Sequence, residues 1–245
     1  MLRSISELLN YQLLAKDGEI GRCKDFLFDD RQWGIRYMVA DTSRWLPGRK
    51  VLISPLSLGA PQWTQSLLPV QLTKEQIKES PALDEDAPVS RQYEMRWFDF
   101  YAYPYYWPHT TLWGINPPPP VPLTQEAPEE EQIEVANESQ LRSVREVKGY
   151  AIDASDGEIG HVEDFILEDT LWSLRYMVVD TRNWLPGRKV LIAPQWIDHI
   201  DWADSAVHVK LDRARIESSP EYDPKEPVNL EYEARLYNYY GRPVP

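Results

Sequence analysis

Four acidic positions occur twice in this 245-residue chain and could do acid–base chemistry. The first set is Asp25, Asp29, Asp30 and Asp41, and the second is Asp164, Glu168, Asp169 and Asp180. Paired carboxylates can serve as general acid and general base, for example in a hydrolase. However, no nucleophile, base and orienting residue accompany them, and no glycine-rich phosphate loop is present. We therefore interpret them as turn and ion-pair residues and expect no catalytic site.

Two arginines, Arg36 and Arg175, lie in the middle of apolar β-type segments. A buried guanidinium needs a fixed carboxylate partner. In the first half Asp25 or Asp41 could supply it, and in the second half Asp164 or Asp180 could do so. The alternative is that each arginine anchors a carboxylate of a binding partner. We favour the structural ion pair.

The histidines and the cysteine do not predict a metal centre or a reactive thiol. The four histidines, His109, His161, His199 and His208, show no ligand spacing, although the last two fall in neighbouring predicted strands. Val162 occupies the position of Cys23 in the second half, so the single cysteine is expected to be a small core residue. We expect no metal and no cofactor.

A repeated loop is the strongest candidate for binding another protein. Arg44-Trp-Leu-Pro-Gly-Arg49 returns as Asn183-Trp-Leu-Pro-Gly-Arg188. Large apolar side chains at a turn tip are costly to leave in water. They could cover their own sheet, meet the other half of the chain, or form a hot spot for a partner. The predicted partner-binding residues are Trp45, Leu46, Arg49, Trp184, Leu185 and Arg188.

The elements that must position these residues come from a duplication. Between residues 17–55 and 156–194, 25 of 39 aligned residues are identical without a gap, at a constant offset of 139. We assign a first unit over 1–106, a linker over 107–140 and a second unit over 141–245. Each unit is predicted to contain about six short strands, a small helix and an aromatic tail. Thr73 and Asp212 are the predicted helix caps.

The strands and the linker suggest how the units are built and joined. Short strands with Gly and Pro turns favour a small barrel, since closure removes unpaired edges. We expect an all-β chain with short helices, in which two barrels contact each other about a pseudo-twofold axis. Pro117–Pro120 predicts a stiff spacer, and the acidic stretch after it is predicted to be mobile.

Charge and hydropathy argue against nucleic-acid binding and against a membrane span. The chain carries a net charge of −13, with −1, −6 and −6 over 1–106, 107–140 and 141–245. Such a chain is repelled by phosphate backbones, so nucleic-acid binding is not expected. No run of 18 uncharged apolar residues predicts a membrane span. With one cysteine, we expect a cytoplasmic protein.

The order Asp-Gly-x-Ile-Gly, Asp-Phe, Arg-Tyr-Met-Val-x-Asp-Thr and Trp-Leu-Pro-Gly-Arg-Lys-Val-Leu-Ile resembles the PRC-barrel domain, in two tandem copies over roughly 15–75 and 154–214. That family includes the cytoplasmic domain of the photosynthetic reaction centre H subunit and the C-terminal domain of a ribosome maturation factor. The resemblance implies a small β-barrel that usually acts as a protein-interaction module without a catalytic site. Neither relative's task carries over, because the chain has neither a membrane helix nor a preceding RNA-facing domain.

These observations predict a non-enzymatic adaptor or regulatory scaffold for another protein or complex, and a homodimer of the whole chain is a further expectation. A second reading is a binding protein for a small polar ligand such as a carbohydrate, because the 10 Trp and 14 Tyr could line a groove with nearby carboxylates. A hydrolase based on the paired carboxylates is the weakest reading.

Overall fold

A computed structural model of the chain describes residues 1–84, 86–107, 140–181 and 188–243. These residues form a predominantly β structure with two sheets and several short helices. The predicted spacer and acidic stretch fall almost entirely within 108–139, outside the described residues. Among the described residues, no helix combines the length and apolar character needed to cross a bilayer.

The first sheet is built from residues of the first unit and one strand of the second. Its path is β5-β4-β3-β2-β6, and β7 also pairs with β3. Its strands are β2 (Gln12–Ala15), β3 (Gly18–Asp29), β4 (Ile35–Asp41), β5 (Val51–Ile53), β6 (Leu67–Pro69) and β7 (Leu141–Ser143), whereas β1 (Leu2–Ser4) belongs to the second sheet. The pairs are antiparallel except β2 with β6, which is parallel.

The second sheet repeats this plan and adds a strand. Its path is β11-β10-β9-β8-β13-β12, and β1 pairs with β9. The strands are β8 (Ala151–Ala154), β9 (Gly157–Glu168), β10 (Ser173–Asp180), β11 (Lys189–Ile192), β12 (Ile197–Asp201) and β13 (Ala206–Val209). β12 and β13 pair antiparallel as a hairpin. The parallel pairing of β8 with β13 was not predicted.

In the described parts of the chain, five α-helices connect or flank the strands. They are α1 (Lys74–Glu79), α2 (Arg91–Tyr101), α3 (Val144–Val147), α4 (Arg213–Glu217) and α5 (Leu230–Tyr240). The predicted capping residues Thr73 and Asp212 accept hydrogen bonds from the first turns of α1 and α4. The aromatic tails contain α2 and α5, which the sequence analysis did not identify as helices.

The prediction that each sheet closes into a barrel is wrong. In the described ranges, both sheets follow open paths whose first and last strands are not paired with each other. Other segments cover the edges that closure would have removed. Lys50 N–H donates to Leu83 O, and Tyr222 N–H donates to Lys189 O, so the chain after α1 and α4 lies along β5 and β11.

Two short strands are exchanged between the units. β1 of the first unit pairs with β9 of the second, and β7 of the second unit pairs with β3 of the first. Both exchanged strands have the sequence Leu-Arg-Ser. Their registers are equivalent, because Leu2 opposite Glu168 corresponds to Leu141 opposite Asp29. Each sheet therefore receives one strand from the other unit, in a pseudo-twofold arrangement.

A turn between the two longest strands of each unit repeats this reciprocity. Trp33 and Trp172 adopt left-handed φ values of 59° and 53°, which bulky residues rarely adopt. Trp33 O accepts from Leu174 N–H at 2.7 Å, and Trp172 O accepts from Ile35 N–H at 2.7 Å. These hydrogen bonds between units stabilise an otherwise unfavourable backbone conformation.

The apolar core is continuous across the two units. One cluster of buried side chains takes members from both sheets. At its centre, the Phe165 ring lies 5.8 Å from that of Phe28 and 6.4 Å from that of Trp33. The Phe26 and Trp172 ring centroids are 6.0 Å apart. Neither unit encloses this core alone.

The first aromatic tail folds back on its own unit. A second cluster joins Tyr37, Val39 and Leu52 of the sheet to Trp97 and neighbouring rings of α2. Trp97 is fully buried, and its ring meets that of Tyr37 edge to face at 5.1 Å. The tail therefore covers the outer face of its own sheet.

We predict that Phe165→Ala destabilises the whole described structure in one step. Removing a buried phenylalanine costs about 3–5 kcal/mol. Because its neighbours Phe28 and Trp33 belong to the other unit, both units should lose stability together. Urea unfolding followed by far-UV circular dichroism and by tryptophan fluorescence should give coincident curves shifted to lower urea.

Phe100→Ala provides a control, since that ring is exposed and should change the midpoint little. Two separate transitions, with one of them unmoved by Phe165→Ala, would contradict a shared core.

Candidate functional site

The strand exchange creates two equivalent grooves where the units meet. Groove A lies where β7 joins β3 and includes Lys24, Asp25, Lys50, Ser143 and Arg145. Groove B lies where β1 joins β9 and includes Ser4, Ser6, Lys148, Asp164 and Lys189. The lining of each groove comes from both units, so neither groove exists in one unit by itself.

A carboxylate at the base of each groove binds the incoming strand of the other unit. Ser143 Oγ donates to Asp25 Oδ2, and Arg145 N–H donates to Asp25 Oδ1 at 3.2 Å. In groove B, Ser4 Oγ donates to Asp164 Oδ2, and Ser6 Oγ donates to Asp164 Oδ1 at 2.6 Å. These two aspartates are predicted ion-pair residues, and the structure places them at the junction between the units.

The two grooves differ in charge. Groove A is lined by four cationic side chains, Lys24, Arg49, Lys50 and Arg145, and by two anionic ones, Asp25 and Asp41. Among the described residues, groove B is lined by two cationic side chains, Lys148 and Lys189, and by three anionic ones, Glu7, Glu163 and Asp164. Groove A is thus cationic on a chain of net charge −13.

Two substitutions between the copies account for most of this difference. Lys24 in groove A corresponds to Glu163 in groove B, and Arg145 corresponds to Ser6. In groove B, Lys189 Nζ lies 2.6 Å from Glu163 Oε1, so these two charges pair within the groove. The backbone of the site is duplicated, whereas its electrostatic character is not.

Burial is the largest influence on the pKa of Asp25. It raises the pKa of that carboxyl, and hydrogen bonds from Ser143, Phe26 and Arg145 partly oppose the rise. Asp41, at the exposed rim, has a lowered pKa because Ser43 donates to its carboxylate. One groove therefore holds two carboxyls whose environments act in opposite directions.

The predicted loop of the first unit covers its own sheet. The Trp45 indole N–H donates to Ile20 O at 2.8 Å, and the ring packs against the shared core. Leu46 lines groove A. Arg49 donates to Lys78 O at 2.6 Å and to Ser80, so it satisfies carbonyls at the end of α1.

In the second unit, the counterparts Trp184 and Leu185 lie outside the described residues. Arg188 is described and donates to Ser219 O, beyond the end of α4. The two arginines of the repeated loop therefore hold equivalent positions at the ends of the small helices. This structural role accounts for their presence in both copies.

The predicted ion pairs involve different carboxylates. Arg36 is buried and its Nη2 lies 3.5 Å from Asp29 Oδ2 and 2.7 Å from Gln32 Oε1. Arg175 lies 3.7 Å from both Glu168 and Glu233. Asp41 is exposed, and Asp180 is buried at the end of β10. Both arginines thus pair with the carboxylate at the end of the long strand, Asp29 or Glu168, and Arg175 also lies near Glu233 of α5.

A buried glutamate behind each sheet was missed by the sequence analysis. Glu94 accepts hydrogen bonds from Tyr37 at 3.1 Å and from Tyr106 at 2.8 Å, and Arg91 Nη1 lies 2.9 Å from its other oxygen. Glu233 accepts from Tyr176 at 2.6 Å. Burial, followed by the neighbouring Glu94, raises the pKa of Tyr37 and Tyr106 well above the usual value, so both phenols act as neutral donors.

The other missed residues carried a signal in the repeat. Leu-Arg-Ser is identical at both unit starts, and Trp33 and Trp172 are identical in the duplicated core. Identity at equivalent positions of two diverging copies indicates a shared structural demand. Here the strand exchange requires Leu-Arg-Ser, and the two tryptophans form turns whose carbonyls accept hydrogen bonds from the other unit.

His199 and His208 do approach each other, as their place in neighbouring strands suggested. Their rings stack with centroids 4.3 Å apart. Asp198 Oδ2 lies 3.1 Å from His199 Nδ1, and Asp153 Oδ2 lies 3.8 Å from His208 Nδ1. Within the described ranges, no group of three or more His, Cys, Asp or Glu side chains is arranged to hold a metal ion.

We predict opposite pH dependences for Asp25→Asn and Asp41→Asn. The folded state binds the Asp25 proton more tightly than the unfolded chain does, so the wild type loses stability as pH rises above the ordinary value of 3.8 toward the raised folded value. The free energy of unfolding of Asp25→Asn, relative to the wild type, should therefore be higher at about pH 7 than at about pH 3.

For Asp41, the lowered pKa stabilises the folded state above its unfolded value, and this contribution is lost as pH falls through the folded value. Asp41→Asn should thus lose stability relative to the wild type at neutral pH and match it in acid. Urea unfolding of the three proteins over this range measures both differences. Parallel curves for the two variants would refute the assignment.

Comparison with known proteins gives no relative: no protein-family model matches the chain, and no curated protein matches it. The conclusions about this site therefore depend on its own geometry, which is a duplicated junction groove with one cationic copy.

Proposed function

We propose that the protein is a non-enzymatic adaptor or regulatory scaffold, built from two PRC-type units, that binds an acidic segment of a partner protein in groove A. The observation that carries this proposal is the cationic lining of groove A on a strongly acidic chain. Complementary charge of this kind steers an acidic partner to one place and orients it there.

The comparison of the two grooves supports a binding role for the positive charge. If Lys24 and Arg145 served only the fold, groove B would need the same charges, because its backbone and its Asp–Ser contacts are equivalent. Groove B instead has Glu163 and Ser6 at these positions. The cationic lining is therefore a property of groove A beyond what the junction requires.

The size of groove A favours side chains of a protein over a whole small molecule. Its volume is about 220 Å³. Sites for small ligands usually enclose roughly 300–1,000 Å³. A few acidic side chains of an extended segment fit this space, with Leu46 available for an apolar contact.

The shared core makes the protein suitable as a scaffold. Groove A is formed by strands of both units, and the same junction holds the continuous core. A partner bound there would thus meet a site whose two sides are held in a fixed relation. The resemblance to PRC-barrel domains supports the same role, and the buried single thiol of Cys23 is compatible with a cytoplasmic setting.

We predict that Lys24→Glu with Arg145→Glu reduces partner recovery at least tenfold. Both side chains are exposed, so the fold should be kept while the groove becomes anionic. The measurement is quantitative mass spectrometry of proteins that co-purify with the tagged full chain from native lysate. Recovery should also fall at raised salt, which screens exposed charges.

Lys16→Glu with Lys225→Glu is the matched control, because it makes the same change in net charge at exposed positions outside the lining of groove A. Partners retained by this control and lost from the groove variant support the proposal. Equal loss from both variants, or no loss from the groove variant, would reject groove A as the docking site.

A further inference from the structure

A pocket between β9, α5 and the N-terminus is lined by Leu2, Glu168, Arg175, Val228, Leu230 and Glu233, and we name it the α5 pocket. Its volume is about 650 Å³. It is separate from grooves A and B. The equivalent position in the first unit is not empty, and its occupant indicates what the α5 pocket can accept.

In the first unit this position is filled by Tyr106. Its hydroxyl donates to Glu94 Oε1 at 2.8 Å, and the guanidinium carbon of Arg36 lies 3.8 Å from the ring centroid. The ring is buried in a cluster of apolar side chains, and Val89 and Leu141 pack against that cluster. The side chain is held by one charged acceptor, one stacked cation and an apolar rim.

The same three elements are present in the second unit without the tyrosine. At the constant offset of 139, Arg175, Glu233 and Val228 correspond to Arg36, Glu94 and Val89, and Leu2 corresponds to Leu141. The position opposite Tyr106 is Pro245, which has neither an aromatic ring nor a hydroxyl. The side chain of Arg175 is 28% exposed, whereas that of Arg36 is fully buried.

One further difference makes the α5 pocket more apolar than its counterpart. Arg91, whose Nη1 lies 2.9 Å from Glu94 and 3.2 Å from the Tyr106 hydroxyl, is replaced by Leu230. Leu230 is 80% exposed, the highest exposure among the large apolar side chains of the described residues. Glu233 at the base of the pocket remains 5% exposed. An exposed leucine beside a buried acceptor suits a ring that carries a hydroxyl.

We propose that the α5 pocket binds a tyrosine side chain in an extended segment of a partner protein, in the way that Tyr106 occupies the first unit. The ring stacks on Arg175 and covers Leu230, and the phenol donates to Glu233. The proposal rests on the adaptor function, since its occupant is a protein segment, but it uses a site distinct from groove A.

The charges of the α5 pocket define which tyrosine is accepted. Glu168, Glu231 and Glu233 outnumber the two cations of the lining, which are Arg175 and the α-ammonium of Met1, itself paired with Asp169. A neutral phenol can donate to this acidic wall, whereas a phosphotyrosine would bring about two negative charges against it. Phosphorylation of the partner tyrosine should therefore abolish binding.

The test uses the full chain and a blocked synthetic peptide with the sequence of residues 102–107, Ala-Tyr-Pro-Tyr-Tyr-Trp, measured by isothermal titration calorimetry. We expect saturable binding at one site. Changing the tyrosine equivalent to Tyr106 to phenylalanine should weaken binding about tenfold, because one hydrogen bond to a carboxylate is lost. The phosphotyrosine form should not bind.

Leu230→Asp in the protein should weaken binding at least tenfold. Asp is favourable in the first turn of a helix, so α5 should still form. Leu56→Asp, which changes an exposed leucine of the first unit, is the matched control and should bind like the wild type.

Lys24→Glu with Arg145→Glu should also bind the peptide like the wild type. This variant therefore separates the proposal for groove A from the proposal for the α5 pocket, so that either can fail without the other. Absence of saturable binding, equal affinity for the phenylalanine peptide, unchanged binding by Leu230→Asp, or loss of binding by Leu56→Asp would each overturn the proposal.

Discussion

The structure depends on the pairing of each exchanged strand with the long strand of the other unit. β3 and β9 each contain 12 residues. On one side of these strands, β2 and β8 of the same unit pair only with the first part of each. The last residues of β3 are paired by β7, and those of β9 by β1. Without this exchange, backbone donors and acceptors beside a buried core would lose their partners, which is costly.

The pairing also explains why both units contain residues whose hydrogen-bond partners lie in the opposite unit. Ser4 and Ser143 reach across to Asp164 and Asp25, and the left-handed turns at Trp33 and Trp172 present their carbonyls to the opposite unit. Each contact has a counterpart related by the duplication. An unfavourable turn conformation persists because hydrogen bonds and ring contacts at the junction stabilise it.

The two copies differ in side chains that do not hold the units together. Lys24 and Glu163 line equivalent grooves with opposite charge, and Arg91 and Leu230 occupy equivalent helix positions with different exposure. In the first unit Tyr106 belongs to the cluster that covers the outer face, whereas the residue aligned with it in the second copy of the sequence is Pro245. A duplicated fold thus offers one cationic groove and one pocket with an acidic lining, instead of two copies of either.

The sequence by itself determined the duplication, the short strands of each unit and both small capped helices, and it has glycine at two equivalent positions where the structure leaves no room for a side chain. A Cβ on Gly21 would lie 1.8 Å from Asp41 O, and one on Gly160 would lie 2.0 Å from Asp180 O, so only glycine fits. These features depend on local conformation and spacing, which the order of residues encodes directly.

Only the tertiary structure decided the partners of Asp25, Arg36 and Trp45, the open paths of the sheets and the exchange of Leu-Arg-Ser strands. A three-residue strand has too little periodicity to be identified, and its pairing partner lies more than a hundred residues away. Arg36 could reach several carboxylates equally well by sequence, and the turn geometry selected Asp29. Contacts between distant segments arise from packing, which spacing along one chain does not specify.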